Sequence, residues 1–486
     1  MDGLFTRVKP IYILGIILAL AGFTHLWNAT GFPDIFYDEG VYMERAMHVL
    51  NGLGLQDRYF HDHPFFGQIF LAGTLGLIGF PNSVHATADP DLLSSLYLAP
   101  RIIMGLLAIV DTLLVYLIAD TKYGKKIALA SALLFAVMPF TWVMRRILLD
   151  SILLPFLLSS ILLALKTKDA KNKHVMVLLS GLCLGIAIFT KIPVFTMIPL
   201  VAGLVYFNTG KNPKLLVLLL LPVFLIPLMW PLQAVGAHQF DQWVKDVIGQ
   251  TQRPSYGLPY ISLVFLKLDP LLFILGISGA IFAIVRKDYF ILFWFVPFVI
   301  FLLLIGYNQY FYWIPILPVF CISASCIVVN LLERIRQKGK VLPIGAILGI
   351  AVFGLVSTLL VISVNVTSTQ FQTESYVLQN IPDNDTTVLA SPVYSWILHY
   401  VFHKENIPND YSFILFNQIH TGKILLVADP HFLIDLNRGQ KLQALYNDSK
   451  TMTTFDKDLS MYDVSSYPYS NIKMNLDGTH VEVKIK

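Results

Sequence analysis

The chain is 486 residues long, 56% hydrophobic and only 14% charged, with a formal net charge of +4. Roughly a quarter of a soluble domain is charged, so this composition excludes a soluble globular protein and describes a polytopic α-helical membrane protein. The small net charge gives no sign of nucleic acid as a partner. The cysteines, all in apolar segments, give neither a disulfide framework nor a cysteine metal site.

In chain order, the first apolar segment is 11–27, preceded by Arg7 and Lys9. Ala19-Leu20-Ala21 weakly imitates a signal cleavage site, but the segment is expected to stay as an anchor. Further segments approach the length of about twenty residues needed to cross the hydrocarbon. They are 101–119, 127–144, 151–165, 174–190, 192–207, 214–230, 261–285, 289–305, 310–331 and 341–363, which predicts about 11 transmembrane helices in all. Basic residues fall in alternate joins: Arg7/Lys9, Lys122/Lys125/Lys126, Lys166/Lys168/Lys171/Lys173, Lys211/Lys214, Arg286/Lys287 and Arg334/Arg336/Lys338/Lys340. The positive-inside rule puts these joins, and the N-terminus, in the cytoplasm. The remaining joins are then extracytoplasmic: 28–100, 145–150, the turn at Lys191, 231–260, 306–309, and everything from about 365.

Within the first external loop, 28–100, the run Phe65–Phe80 is apolar but short. It is expected to lie in or dip into the outer interface as a helix. Glu39–Asn51 reads likewise, with Met43, Met47 and Leu50 on one face and Glu44, Arg45 and His48 elsewhere. The tail is polar, with β-like runs at Thr387–Ala390, Ile424–Val427 and Val481–Ile485 and helical patterns at Tyr394–Phe402 and Phe432–Tyr446. The chain therefore divides into a transmembrane domain, 1–364, and a small extracytoplasmic α/β domain, 365–486. Sequons at Asn28, Asn365, Asn384 and Asn447 all fall outside, which supports the orientation weakly.

This topology gathers scattered charges on the outer face. Asp38 and Glu39 follow the first span almost at once, and ionised groups near a bilayer face water, a partner or a substrate. A carboxylate there could deprotonate an acceptor hydroxyl; the alternative is a helix N-terminus, with Asp38 as cap and Glu39 in the first turn. His61, Asp62 and His63, then Arg101, Arg145, Arg146, Asp150 and Lys191, join them on the same side. Cations outside run against the usual bias and fit a phosphate ligand, held bidentately by arginine and by the point charge of lysine. Arg101 and Arg145 also fit snorkelling side chains, Arg146 and Asp150 an i, i+4 helix salt bridge, and Lys191 a helix cap. His61 and His63 are weak metal candidates, since alternate residues of an extended segment share one side.

At these residues the chain resembles the protein O-mannosyltransferases and the bacterial lipid A aminoarabinose transferases, which share the type C glycosyltransferase fold. Asp38-Glu39 matches the family's acidic pair. His63-Pro64-Phe65-Phe66-Gly67-Gln68 is similar to its His-Pro-Pro-apolar-Gly-Lys motif, without the second proline or the lysine. Arg145-Arg146-Ile147-Leu148-Leu149-Asp150-Ser151 is similar to its Ser-Arg-x-Ile-Leu-Leu-Asp-Ser motif, and Lys191 to its basic residue after the fifth span. The likeness covers about residues 10–230. It implies inverting transfer of a sugar, mannose or another hexose or pentose, from a polyprenyl-phosphate or dolichyl-phosphate donor to a protein, lipid or glycan acceptor on the extracytoplasmic side. It further implies Asp38 as general base and Glu39 as holding the acceptor or shaping the site. Arg101, Arg146 and Lys191 would stabilise the leaving phosphate. Asp150 would orient Arg146, and Arg145, His61, Asp62 and His63 would support the site. No cofactor is required, though a divalent metal is compatible. An oligosaccharyltransferase-like enzyme should carry a Trp-Trp-Asp motif in the tail, and the sequence has none. A transporter or flippase for a lipid-linked sugar should show internal repeats and midplane polar residues; only Asp111, Lys267 and Asp269 approach the second criterion.

Overall fold

The computed structural model describes residues 9–55, 60–253, 257–305, 308–335, 342–381, 385–456 and 480–486. Arg7, Arg336, Lys338, Lys340 and the Asn384 sequon lie outside these, and nothing is described of the Arg334 side chain.

The membrane half is a helical bundle. It runs α1 Pro10–Leu26, α2 Tyr37–Leu50, α3 Phe66–Leu77, α4 Pro90–Tyr123, α5 Lys125–Val137, α6 Leu149–Lys166, α7 Lys173–Thr190, α8 Ile198–Asn208 and α9 Pro213–Leu225. It continues with α10 Met229–Gly236, α11 Phe240–Gln252, α12 Gly257–Leu268, α13 Pro270–Arg286, α14 Tyr289–Leu304, α15 Leu317–Ile335 and α16 Leu342–Ile362. Among the described residues, six helices are long and apolar enough to cross a membrane, or seven if a pair bent by 68° after Val137 counts as one span. The remaining expected spans are shorter apolar helices, so length and composition alone do not reach the count of about 11. Segment 261–285 shows one cause. Asp269 caps α13 by accepting from the Leu272 N–H at 3.0 Å, and Pro270 cannot continue the preceding helix.

α6 is central, with 78% of its span buried, whereas Pro213–Gly236 and Gly345–Ile362 are 28% buried and peripheral. α6 and α7 are joined by reciprocal serine bonds, Ser160 to the Ser180 carbonyl at 2.8 Å and Ser180 to the Ser160 carbonyl at 2.9 Å. α7 meets α9 through Gly181 and Gly185, where a Cβ would lie 2.4 and 2.5 Å from backbone oxygens of Leu219 and Pro222. Small residues at such crossings let helices approach closely where lipid supplies no hydrophobic drive. Cys183, Cys321 and Cys326 are free.

The C-terminal part begins with α17, Ser368–Asn380, and builds a four-stranded sheet of order β1-β2-β4-β3. β1 is Thr386–Leu389, β2 Lys423–Ala428, β3 Lys450–Asp456 and β4 His480–Ile485. β1 and β2 are parallel with Thr387 opposite Ile424, and β4 pairs antiparallel with both β2 and β3. The expected strands are present, and β3 is an addition. The expected helix at Tyr394–Phe402 is a short one, α18 Pro392–Trp396, followed by a wider turn; that at Phe432–Tyr446 is two, α20 Pro430–Asp435 and α21 Gln440–Asp448, after a short α19 Phe413–Phe416. Asn28 is turned inward, its amide donating to the Ile362 carbonyl at 2.7 Å, so this sequon is spent on internal bonding.

α2 differs from a helix lying on an interface. Met43 and Met47 are buried as expected, but so are Glu44 and Arg45. The helix is enclosed between the bundle and the C-terminal unit. At Gly40 a Cβ would lie 2.4 Å from the backbone of Pro392 and Val393.

Candidate active site

The chain after α1 turns through Pro33 and Asp34 into α2, and this turn is held by arginines from two other elements. Arg101 enters from α4. Its Nε and Nη2 donate to the Glu39 carboxylate at 3.1 Å each, and its remaining N–H groups reach the carbonyls of Ala29, Pro33 and Asp34 at 2.9, 2.7 and 2.9 Å. Arg146 follows the short 3₁₀ helix Pro139–Arg145. It donates to the Asp34 carbonyl and carboxylate at 2.6 Å each and to Glu39 at 2.9 Å, and sits over the rings of Phe36 and Trp142. Asp34, Glu39, Arg101 and Arg146 are all within 1% of complete burial. Two acids thus balance two arginines inside the protein, which is how buried charge is tolerated.

This arrangement corrects several expectations. Arg101 is fully engaged by protein acceptors, so it fixes the turn and has no donor to spare for a phosphate. Arg146 serves the same turn. It does not pair with Asp150, because the chain is extended at Arg146 and α6 starts only at Leu149, so the two are not one helical turn apart. Glu39 is a structural carboxylate, and it is Glu39 rather than Asp38 that reaches back to the Phe36 N–H, at 3.4 Å. The cap alternative for Asp38 therefore falls. Arg145 is directed to the Trp27 carbonyl at the end of α1 and lies over Phe32, away from the acidic pair.

On the other side of α2 the geometry is open. Asp38 is partly exposed, and among the described residues its carboxylate accepts no hydrogen bond. Burial pushes its pKa up to about 6; Lys191 opposes this most, Asp62 adds to it, and Arg253 and Arg45 oppose it. Lys191 donates to Asp150 at 2.6 Å and lies 4.2 Å above the Tyr312 ring. Its backbone closes α7, as the cap reading expects, while its ammonium turns to the acids. Arg45 donates to Asp62 at 2.7 Å, and the cations around Asp62, Arg45 foremost, hold that carboxyl below its usual range against burial. His63 is partly exposed; burial, with Lys191, Arg45 and Arg253 nearby, drives its pKa down to about 4, so the imidazole is neutral at physiological pH. Tyr42, one helical turn from Asp38, is 4% exposed and feels the charges of Asp38, Asp62 and Asp150. Its hydroxyl has no hydrogen-bond partner among the described residues. Asp38, Tyr42, Asp62, His63, Lys191, Arg45 and Arg253 thus form one charged cluster, each within electrostatic reach of others in it.

The sequence did not point to α11. Asp246 accepts from the His61 N–H at 2.7 Å, and the His61 Nε2 lies 3.1 Å from Gln239. This fixes the 61–63 segment and leaves His61 turned to Gln239 rather than paired with His63. Among the described residues no three His, Cys, Asp or Glu side chains are grouped to hold a metal ion. The recurrence of Phe240, Trp243, Val244, Val247 and Ile248 is the signal that would have found α11. At Gly67 a Cβ would lie 2.3 Å from a terminal methyl of Leu149, so a larger residue there needs that side chain to move, and Gln68, in place of the family's lysine, donates to the Leu55 carbonyl.

Residues 15–234 match the family described as dolichyl-phosphate-mannose-protein mannosyltransferase, and this stretch holds Asp34, Asp38, Glu39, Tyr42, Arg45, Asp62, His63, Arg101, Arg146, Asp150 and Lys191. The fold is similar to that of ArnT from Cupriavidus metallidurans bound to undecaprenyl phosphate. The TM-score is 0.61 at 12% identity, over 98% of this chain and 97% of that one. It is also similar to the oligosaccharyltransferase of Archaeoglobus fulgidus in the apo form, with a TM-score of 0.59 at 12% identity, over 93% of this chain and 74% of that one. No curated protein matches the chain in sequence.

Proposed function

We propose that the chain, whose residues 15–234 match that family, is a membrane glycosyltransferase that transfers a single sugar from a polyprenyl-phosphate donor to a hydroxyl acceptor on the extracytoplasmic side. The observation that carries the reading is Asp38, a partly exposed carboxylate with Lys191, Arg45 and Arg253 as its nearby cations. Asp38 takes the proton from the acceptor hydroxyl, whose oxygen attacks the anomeric carbon from the face opposite the phosphate. The bond from that carbon to the phosphate oxygen breaks, the electron pair leaves with the polyprenyl phosphate, and the anomeric centre inverts. Negative charge grows on the phosphate in the transition state, and Lys191, Arg45 and Arg253 supply the preorganised positive field. Tyr42 supports the same reading as a neutral donor toward a sugar hydroxyl. ArnT, whose structure contains undecaprenyl phosphate, supports a lipid phosphate as the donor class.

The experiment is transfer of radiolabelled sugar from a panel of polyprenyl-phosphate sugars by purified protein in detergent. Release of polyprenyl phosphate with inverted product is expected from at least one donor. A chelator should leave the rate unchanged, since protein cations carry the charge neutralisation. Loss of all transfer on chelation would require a metal at the leaving group. Absence of transfer from every monophosphate donor, with transfer from a lipid pyrophosphate oligosaccharide, would move the reading to the oligosaccharyltransferase class.

The proposed sidedness has its own test. Tyr123 donates to Asp288 at 2.8 Å beside Lys122, Arg286 and Lys287, so two basic joins meet at one end of the bundle, at the far end of α4 from Arg101. An impermeant thiol reagent should label a cysteine placed at Asp448 from outside and not one placed at Lys171. The reverse pattern would put the cluster around Asp38 in the cytoplasm.

A further inference from the structure

Asp38 sits in a short segment that the C-terminal unit grips from three directions. Gln370 of α17 brackets Ile35, accepting from its N–H at 2.9 Å and donating to its carbonyl at 2.8 Å. α18 presses its backbone onto Gly40. Between these, the Tyr37 hydroxyl donates to Asp410 at 2.7 Å, and its ring stacks on His431 with centroids 4.1 Å apart and planes 21° from parallel. Both partners are themselves held. Asp410 accepts from the Ser412 N–H at 2.7 Å. His431 lies 4.0 Å from Asp435, which is fixed by Tyr411 at 3.0 Å and Arg438 at 2.9 Å. Burial keeps His431 neutral, with its pKa down to about 4, and keeps the Tyr37 phenol protonated and able to donate.

We infer that Tyr37 is a positioning residue through which the C-terminal unit sets the direction of the Asp38 carboxylate. The inference rests on Asp38 being the base, and it gives the C-terminal unit a part in the transfer step. Tyr37 and Asp38 are successive residues in the first turn of α2. A ring clamped at its edge by a hydrogen bond and at its face by a stack cannot rotate without moving that turn. The buried ion cluster on Glu39 fixes the same turn from the bundle side. Asp38, whose carboxylate accepts no hydrogen bond among the described residues, is thus aimed by its two neighbours. Misplacement of a reacting group by about 1 Å is enough to cost on the order of a hundredfold in rate.

The test uses the full-length protein. Tyr37→Phe keeps the stack and loses only the hydrogen bond, so it should fold with an unchanged melting temperature. Its kcat should fall about tenfold to a hundredfold, with the donor KM unchanged. Asp410→Ala should lower kcat alike, and the double variant should lose no more than either single one, because both remove the Tyr37–Asp410 hydrogen bond. His431→Phe should restore a stack and keep most of the rate, whereas His431→Ala should not. A normal kcat in well-folded Tyr37→Phe overturns the proposal while leaving Asp38 as base. Carbodiimide labelling of Asp38, read by peptide mass spectrometry, does not depend on turnover. Its rate should change severalfold in Tyr37→Phe, and an unchanged rate overturns the proposal even if no tested donor is used.

Discussion

Arg101→Ala is expected to destroy the folded protein rather than to weaken its donor binding. The guanidinium is wholly buried and bonds Glu39 and the carbonyls of Ala29, Pro33 and Asp34. Its removal leaves the cluster with two carboxylates against one arginine and takes the guanidinium donor from the carbonyls of Ala29 and Pro33, while Arg146 still holds that of Asp34. Breaking a buried pair on one side costs about 3–5 kcal/mol, set against a total stability on the order of 5–15 kcal/mol. The yield of monodisperse protein in detergent should fall severalfold, and the surviving fraction should melt well below the wild type. Arg101→Lys should rescue little, because one ammonium cannot reproduce the fork that meets both the carboxylate and the carbonyls. Glu39→Gln, which keeps shape and some hydrogen bonding, should destabilise less. A stable Arg101→Ala protein whose only defect is a raised donor KM would return this arginine to the phosphate.

The contrast between Arg101 and Lys191 shows how far a sequence reading reaches. Both are cations expected on the outer face, and the sequence carries the sign of each charge but not its partner. Arg101 is consumed by Glu39 and Asp34, more than sixty positions away. Lys191 pairs with Asp150 and lies close enough to Asp38 to lower its pKa. The spacing of Arg146 and Asp150 suggested one helical face, but the break before α6 removes that geometry. Hydropathy found the apolar helices, since long apolar runs have few other structures open to them. It passed over α11, which is amphipathic and lies in a join, and β3, an edge strand whose Lys-Thr-Met-Thr-Thr run is mostly exposed. The grip on Tyr37 was illegible for a plainer reason: it joins positions 373 apart.

The acidic pair itself separates cleanly into two roles, and one substitution tests the division. Asp38→Asn preserves volume and the ability to hydrogen bond, and Asp38 makes no ion pair among the described residues, so the variant should fold normally. It cannot accept a proton. Sugar transfer should drop by about a hundredfold or more, the range for a positioned general base. Binding of the lipid donor should persist, because the cations assigned to the phosphate are untouched. The wild-type rate carries the sign of the same group. The base acts only when ionised, so transfer should rise with pH through about 6, the value to which burial lifts Asp38, and level off above it. The donor, a phosphodiester, stays ionised across that range and adds no slope. In Lys191→Ala the strongest opposing charge is gone, so the acid limb should move to higher pH as well as the rate falling. Near-normal transfer by folded Asp38→Asn, or a flat profile between pH 5 and 8, would take the proton away from Asp38 and leave the cluster as a binding site whose base lies elsewhere.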